Sequence, residues 1–311
     1  EAKRNILKAE NLLSTAHVVS KLRTQVINQG SKEAAATLKA LAASGIAGAD
    51  PADWYGIKHI SSDAPAIAAD QDVRISPSGV EKFDECQLRW FLETHGGQDG
   101  NTTAQLIGIV IHKFAELAEK EDTNLAQQIE LLEANWKLVD AETGWISRTS
   151  KGRAILMLKR FYQYREFIAQ QRTFKESEAT YKFNIGRALI SCKIDRIETT
   201  LDGKLYVVDF KTGKGRITKN DALTDAQMQI YQYAVGADTA GASLVYLDSE
   251  NKKPETRDQM PIDRKEVEAR IEKTAVAMGG KRYLAIKNSN CQFCPVNTAC
   301  PLQIEGRGLY D

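Results

Sequence analysis

Apolar and polar residues alternate with period two over residues 188–198 and again over 204–210, which predicts two strands. On the second, Leu205, Val207, Asp209 and Lys211 share a face, and Tyr206, Val208 and Phe210 share the other. Asp202-Gly203 between them favours a tight hairpin turn. A further strand is expected at about 178–185, and another at Ala242-Ser-Leu-Val-Tyr-Leu247. Helical periodicity predicts segments at roughly 105–120, 125–139 and 151–171, with Leu125, Ile129, Leu132 and Trp136 on one buried stripe. Ser76-Pro-Ser78 reads as a helix start, a Ser cap followed by Pro at the first helical position, and that helix runs through Cys86 and Trp90. A helix carries Gln227, and a charged one spans about 262–279 before a cysteine-bearing tail. Residues 1–45 read as an Ala-, Lys- and Leu-rich helical extension, 46–73 as a connector, and 74–311 as the main domain. The order of elements suits an α/β core with a mixed sheet flanked by helices.

The hairpin concentrates chemistry. Folding about its turn sets Asp195 opposite or nearly opposite Asp209, and directly opposed Cβ atoms lie ~4.5–5.5 Å apart. Carboxylates that close repel unless a cation lies between them, and all-oxygen ligation suits Mg²⁺ or Mn²⁺. The plain alternative is a solvated charged face. Lys211, two residues past Asp209, favours the chemical reading, because a cation and an ammonium together can orient a water for attack on phosphorus. Past it, Lys214, Arg216 and Lys219 form a cationic loop suited to nucleic-acid phosphates; Arg148, Lys151 and Arg153 make a weaker patch. Gln227 and Tyr231 lie four residues apart, hence on one helical face, although Thr224-x-x-Gln227 also reads as a capping box.

Composition narrows the classes. In 311 residues, Lys+Arg 42 against Asp+Glu 41 leaves no global basic signature, so nucleic-acid contact has to be local. No apolar run reaches transmembrane length and no signal peptide is visible. The first residue is Glu, which reads as a chain excised from a larger protein or processed. Five cysteines, an odd count without a signal peptide, argue for a reducing cytoplasm and against a disulfide framework. Cys291, Cys294 and Cys300 form a C-terminal triplet with Pro after the second and third. Zinc sites more often come as two paired knuckles, while Pro after a ligand cysteine recurs in ferredoxin-type runs. No P-loop spacing, and hence no ATPase motor, is present.

Asp195 followed by Asp209-Phe210-Lys211 resembles the acid, acid-x-Lys pattern of the PD-(D/E)XK nuclease superfamily. His112 in Gly108-Ile-Val-Ile-His112 and the Gln227/Tyr231 helix resemble its RecB-like branch. Cys86 upstream, with Cys291, Cys294 and Cys300 downstream, resembles the iron–sulfur members, among them AdnA/AddB-type helicase–nucleases. That resemblance implies a restriction-endonuclease-like fold and a DNA exonuclease acting on single-stranded ends in double-strand break resection. It further implies a UvrD-like helicase motor in the parent polypeptide and a second helicase–nuclease subunit. His112, Asp195, Asp209 and the Phe210 carbonyl would hold Mg²⁺ or Mn²⁺, Lys211 would serve catalysis with Gln227 and Tyr231, and the four cysteines would hold a [4Fe–4S] cluster, leaving Cys192 in the core. A stand-alone CRISPR-associated exonuclease and a catalytically degenerate DNA-binding domain are the alternatives.

Overall fold

The computed structural model describes residues 15–54, 63–96, 102–121, 123–140, 143–249 and 255–302. Part of the expected leading helix, residues 1–14, lies outside them, as does the tail past 302. The chain divides into two compact units, Pro65–Leu284 and the pair of segments Glu1–Ala64 and Ala285–Asp311. In the smaller unit, helices α1 (Thr15–Gln29) and α2 (Lys32–Ala43) pack Val19 and Leu38 with Ala49 and Trp54. Ser31 caps α2 by accepting from Ala34 N, and the Trp54 indole donates to Gly48 O at 2.8 Å. The cysteine tail forms short 3₁₀ turns, Ser289–Phe293 and Asn297–Ala299.

The larger unit is the α/β body with a mixed sheet and flanking helices. In chain order it runs β1 (Val73–Ile75), α3 (Pro77–Glu85), α4 (Gln87–Thr94), α5 (Thr103–Lys120), α6 (Leu125–Ala134), α7 (Trp136–Val139) and α8 (Gly144–Ile168). There follow β2 (Arg172–Ile185), β3 (Ala188–Thr200), β4 (Leu205–Lys211), α9 (Lys219–Leu223), α10 (Ala226–Val235), β5 (Thr239–Tyr246), β6 (Glu255–Gln259) and α11 (Arg264–Met278). The six-stranded sheet has order β1-β3-β4-β5-β6, with β2 pairing β3. β1 is parallel to β3 and β5 to β4, and the other pairings are antiparallel. Tyr206, Val208 and Phe210 pack on one face against α5 and α8, through Ile111, Phe114, Phe161 and Tyr164. Val207, Cys192 and Ile194 pack on the other against Met228 and Tyr231 of α10.

Several elements depart from the pattern-based expectation. The helix expected through Cys86 breaks there, because Cys86 is extended (φ −162, ψ 108) and joins α3 to α4. Asn135 likewise separates α6 from α7. Strands β1 and β6 are too short or too polar to announce themselves, and tertiary pairing makes them. Strand β3 shows the most consequential departure. Ile194 and Ile197 belong to the same buried cluster with only Asp195 and Arg196 between them, so strict alternation fails at that point. Across the β2–β3 ladder, Ser177 pairs Arg196 and Ala179 pairs Ile194, which leaves Glu178 facing Asp195. Glu178 has φ 55, the sole left-handed non-glycine among the described residues. Such a conformation costs on the order of 1–3 kcal/mol and clusters at functional sites.

Cys192 is buried in the apolar cluster between β3 and α10, and burial pushes its thiol up to about 11. Near pH 8 it is therefore almost wholly a thiol, and the thiolate is the nucleophile. Alkylation of the native protein should modify the half-buried Cys291, Cys294 and Cys300 and spare Cys192 until denaturant is added, as read by peptide mass spectrometry.

Candidate functional site

Strand β3 changes neighbours along its length. One edge pairs with β1 over Ala188–Ile190 and with β4 over Arg196–Thr199, so the strands part at Asp195. Val208 is the last β4 residue paired with β3, while Asp209, Phe210 and Lys211 continue along β5. A backbone N–H released at such a fork needs an acceptor. Asp195 supplies it, its Oδ2 accepting from Phe210 N at 2.7 Å. The other oxygen, Oδ1, stands 3.2 Å from Nδ1 of His112 on α5.

Helix α5 is seated at both ends. Its start is capped by a reciprocal Thr102–Gln105 box. Gly108 lets the helix approach the end of β4, since a Cβ there would meet Thr212 Oγ1 at 2.8 Å. Towards its far end Glu119 pairs with Arg196, the residue after Asp195. His112 lies between these anchors and so faces the fork. Its charge is set by opposing effects: burial lowers the imidazole's proton affinity, and the Asp195 carboxylate raises it, with a net result of about 9.

Asp195 and Asp209 stand close enough for each carboxylate to feel the other's charge, and Asp209 has partners of its own. Asp209 turns towards α10, where Gln227 Nε2 donates to its Oδ1 at 3.0 Å and Lys211 Nζ lies 2.9 Å from Oδ2. The Lys211–Asp209 contact is an ion pair without aligned hydrogen-bond geometry. Lys211 also donates to Gln227 Oε1 at 2.7 Å, and Gln227 Nε2 donates to Tyr231 Oη at 2.8 Å. Gln227 is therefore free for this role because Asp225, not Thr224, caps α10, accepting from Met228 N. Burial pushes the Asp209 carboxyl up, to about 6, against the lowering effect of Lys211. Burial alone would lower Lys211, but Asp209 reverses this and holds the ammonium above its ordinary range.

Among the described residues, His112, Glu178 and Asp195 form the group of His, Cys, Asp or Glu side chains fit to hold one ion, with ligand atoms all within 4.8 Å of one another. Glu178 escapes a reading by alternation, because its backbone is left-handed at the position opposite Asp195. This grouping overturns the expected four-cysteine [4Fe–4S] centre. Cys86, Cys291, Cys294 and Cys300 form no such group among the described residues. The Cys86 sulfur packs 3.9 Å from Leu284 O at the α3–α4 turn, and Cys291 Sγ accepts from Asn288 N at 3.3 Å within its own 3₁₀ turn. The narrower likeness to iron–sulfur helicase–nucleases falls with the cluster, since the cysteines were what carried it.

The trio lines an open cleft of about 950 Å³, together with Lys113, Lys193, Arg153, Thr212 and Lys214. Of the expected cationic loop, Lys214 is in the cleft wall and Lys219 is exposed at the start of α9. Arg216 is occupied otherwise: it donates to the Gly213, Lys214 and Asp248 carbonyls and stacks over Tyr246 at 4.6 Å, which closes the loop on itself. Arg153 ties the same loop down through Thr212 O at 3.0 Å and Asp248 at 2.7 Å.

Residues 74–301 match the family model of the PD-(D/E)XK nuclease superfamily. Among solved structures, one described as "Crystal structure of SSO0001" is 16% identical with a TM-score of 0.37, covering 76% of this chain and 90% of that chain. None of the curated proteins matches significantly.

Gln227→Leu should leave Asp209, Lys211 and the Tyr231 hydroxyl without a shared buried partner. Each unsatisfied buried group costs roughly 1–3 kcal/mol. Urea denaturation should show a loss in that range or above, whereas Thr224→Ala should be nearly silent because its side chain caps nothing in α10.

Proposed function

The chain belongs to the PD-(D/E)XK nuclease superfamily, and from that premise we propose that it hydrolyses phosphodiester bonds of DNA with the help of a divalent cation. The observation that carries this reading is one cleft holding His112, Glu178 and Asp195 beside the buried Lys211–Asp209 pair. The trio fits a small cation. Two carboxylates and an imidazole bring ligand atoms within 4.8 Å of one another, Glu178 and Asp195 are mostly buried, and like charges that close favour a cation between them. Mg²⁺ or Mn²⁺ suits such oxygen-rich ligation, and a bound ion supplies Lewis acidity and a more acidic water.

The chain's own residues have defined parts. Asp195 orients His112 through one oxygen and fixes the start of the catalytic segment through Phe210 N with the other. The Asp209 carboxylate beside it holds the Lys211 ammonium above its ordinary range, so Lys211 stands at the site as a positive charge. Its ammonium is suited to stabilising charge on the phosphate oxygens as phosphorus becomes five-coordinate. Asp209, Gln227 and Tyr231 hold that ammonium in place. The Phe210 carbonyl keeps its proposed place as a further ligand. Lys214 and Lys219 supply phosphate contacts at the loop, and Arg216 supports its shape.

The finer reading is an exonuclease that takes a single-stranded end during DNA-end processing. Its support is the open cleft, which a strand can enter; a helicase motor in the parent polypeptide, outside these residues, would deliver it. No helix of the described residues is long and apolar enough to cross a membrane.

Labelled single-stranded DNA incubated with Mn²⁺ should be shortened, and EDTA should stop the reaction. Asp195→Asn and Lys211→Ala should each lower the rate on the order of 10²–10³-fold, the scale at which removal of a transition-state electrostatic contact acts. Wild-type rates in either variant, or cleavage undiminished in EDTA, would refute the site.

A further inference from the structure

Lys193 and Glu178 are in direct contact across the β2–β3 ladder, on the wall of the same cleft. Their exposures differ sharply: the Lys193 side chain is 58% exposed and that of Glu178 12%. The ammonium thus reaches in from solvent to neutralise a carboxylate aimed at the site. Glu178 is the same group that converges with His112 and Asp195. A cation on the trio and the ammonium of Lys193 would compete for one carboxylate.

We propose that Glu178 is a cation ligand and that Lys193 is a phosphate contact unlocked when the cation takes Glu178 from it. The proposal rests on the nuclease reading and deepens it, by making nucleic-acid affinity depend on cation loading through one named residue. Charge placement around Lys193 supports this. The neighbouring Glu116 is already held by Lys113 at 2.8 Å and Lys120 at 2.6 Å. Asp195 is engaged by His112 and by Phe210 N. With Glu178 on the cation, Glu116 and Asp195, the other carboxylates acting on Lys193 among the described residues, are engaged by other groups. The cleft floor then presents a long, flexible ammonium beside the trio and near Lys214, where a polyanion is the complementary occupant. The left-handed backbone of Glu178 accords with a side chain held for the cation rather than for sheet pairing.

The test separates binding from cleavage by using Ca²⁺ as the cation and a short labelled single-stranded DNA, with affinity read by fluorescence anisotropy. In EDTA, Lys193→Gln should bind DNA as wild type does. In Ca²⁺ it should bind about tenfold more weakly, with a log–log salt slope shallower by about one, as for the loss of one phosphate contact. Mn²⁺ titration followed by electron paramagnetic resonance should show Glu178→Gln at least about tenfold weaker than wild type and Lys193→Gln equal or tighter, because the competing ammonium is gone. Circular dichroism melts establish that both variants are folded. Equal DNA weakening of Lys193→Gln with and without Ca²⁺, or no weakening at all, overturns the exchange. Unchanged Mn²⁺ affinity in Glu178→Gln overturns the ligand assignment, and if Asp195→Asn still slows cleavage to the extent expected above the nuclease reading stands without it.

Discussion

The site depends on a fork in the sheet. A long strand, β3, keeps β2 along one edge but changes partner on the other, from β1 to β4, and the open interval ends at Asp195. Backbone groups inside a protein demand partners, so the separation of β3 from β4 is stable only where side chains complete the ladder. Asp195 does so for Phe210 N. The same carboxylate is thereby fixed at the cleft, with its second oxygen turned to His112. Closing the sheet and building the site are one event, since the residue that repairs the ladder is also the residue that faces the proposed cation.

Electrostatics then matches the carboxylates around the cleft with cations. Asp209 is nearly inaccessible and is matched by Lys211 and the Gln227 amide. Glu178 is matched by Lys193, and Glu116 by Lys113 and Lys120. On the side of the sheet covered by α5 and α8, Glu198 is fully buried and held by Arg172 and Arg196, both at 2.7 Å, with Tyr164 donating to it at 3.2 Å. Losing one member of such a buried set leaves an uncompensated charge, which costs about 3–5 kcal/mol. That network and the Glu119–Arg196 pair lock α5 and β3 together, so the helix bearing His112 cannot drift from the strand bearing Asp195.

Much of this was legible in the chain itself. The Asp202-Gly203 turn, the face shared by Val207, Asp209 and Lys211, and the burial of Cys192 follow from residue chemistry and period two. The histidine helix and the helix carrying Gln227 and Tyr231 stand where their periodicity put them. The cysteine spacing misled, because spacing reports only how far apart ligands are along the chain. A cluster needs four sulfurs converging on one point, and the group that converges among the described residues contains no sulfur.

Local pattern therefore determined most of the helices, the central strands, the faces of β4, and the residue types available for phosphodiester chemistry, because alternation and capping are properties of a few neighbouring residues. Tertiary structure decided which of those residues meet. Strands β1 and β6 exist through their neighbours, Gln227 serves Asp209 rather than a helix cap, and Arg216 turns onto its own loop. Glu178 reaches the site through a left-handed backbone at the position opposite Asp195, a conformation that glutamate does not favour. Which residue of one strand comes to stand opposite Asp195 is a property of two paired strands, and a single strand's sequence does not contain it.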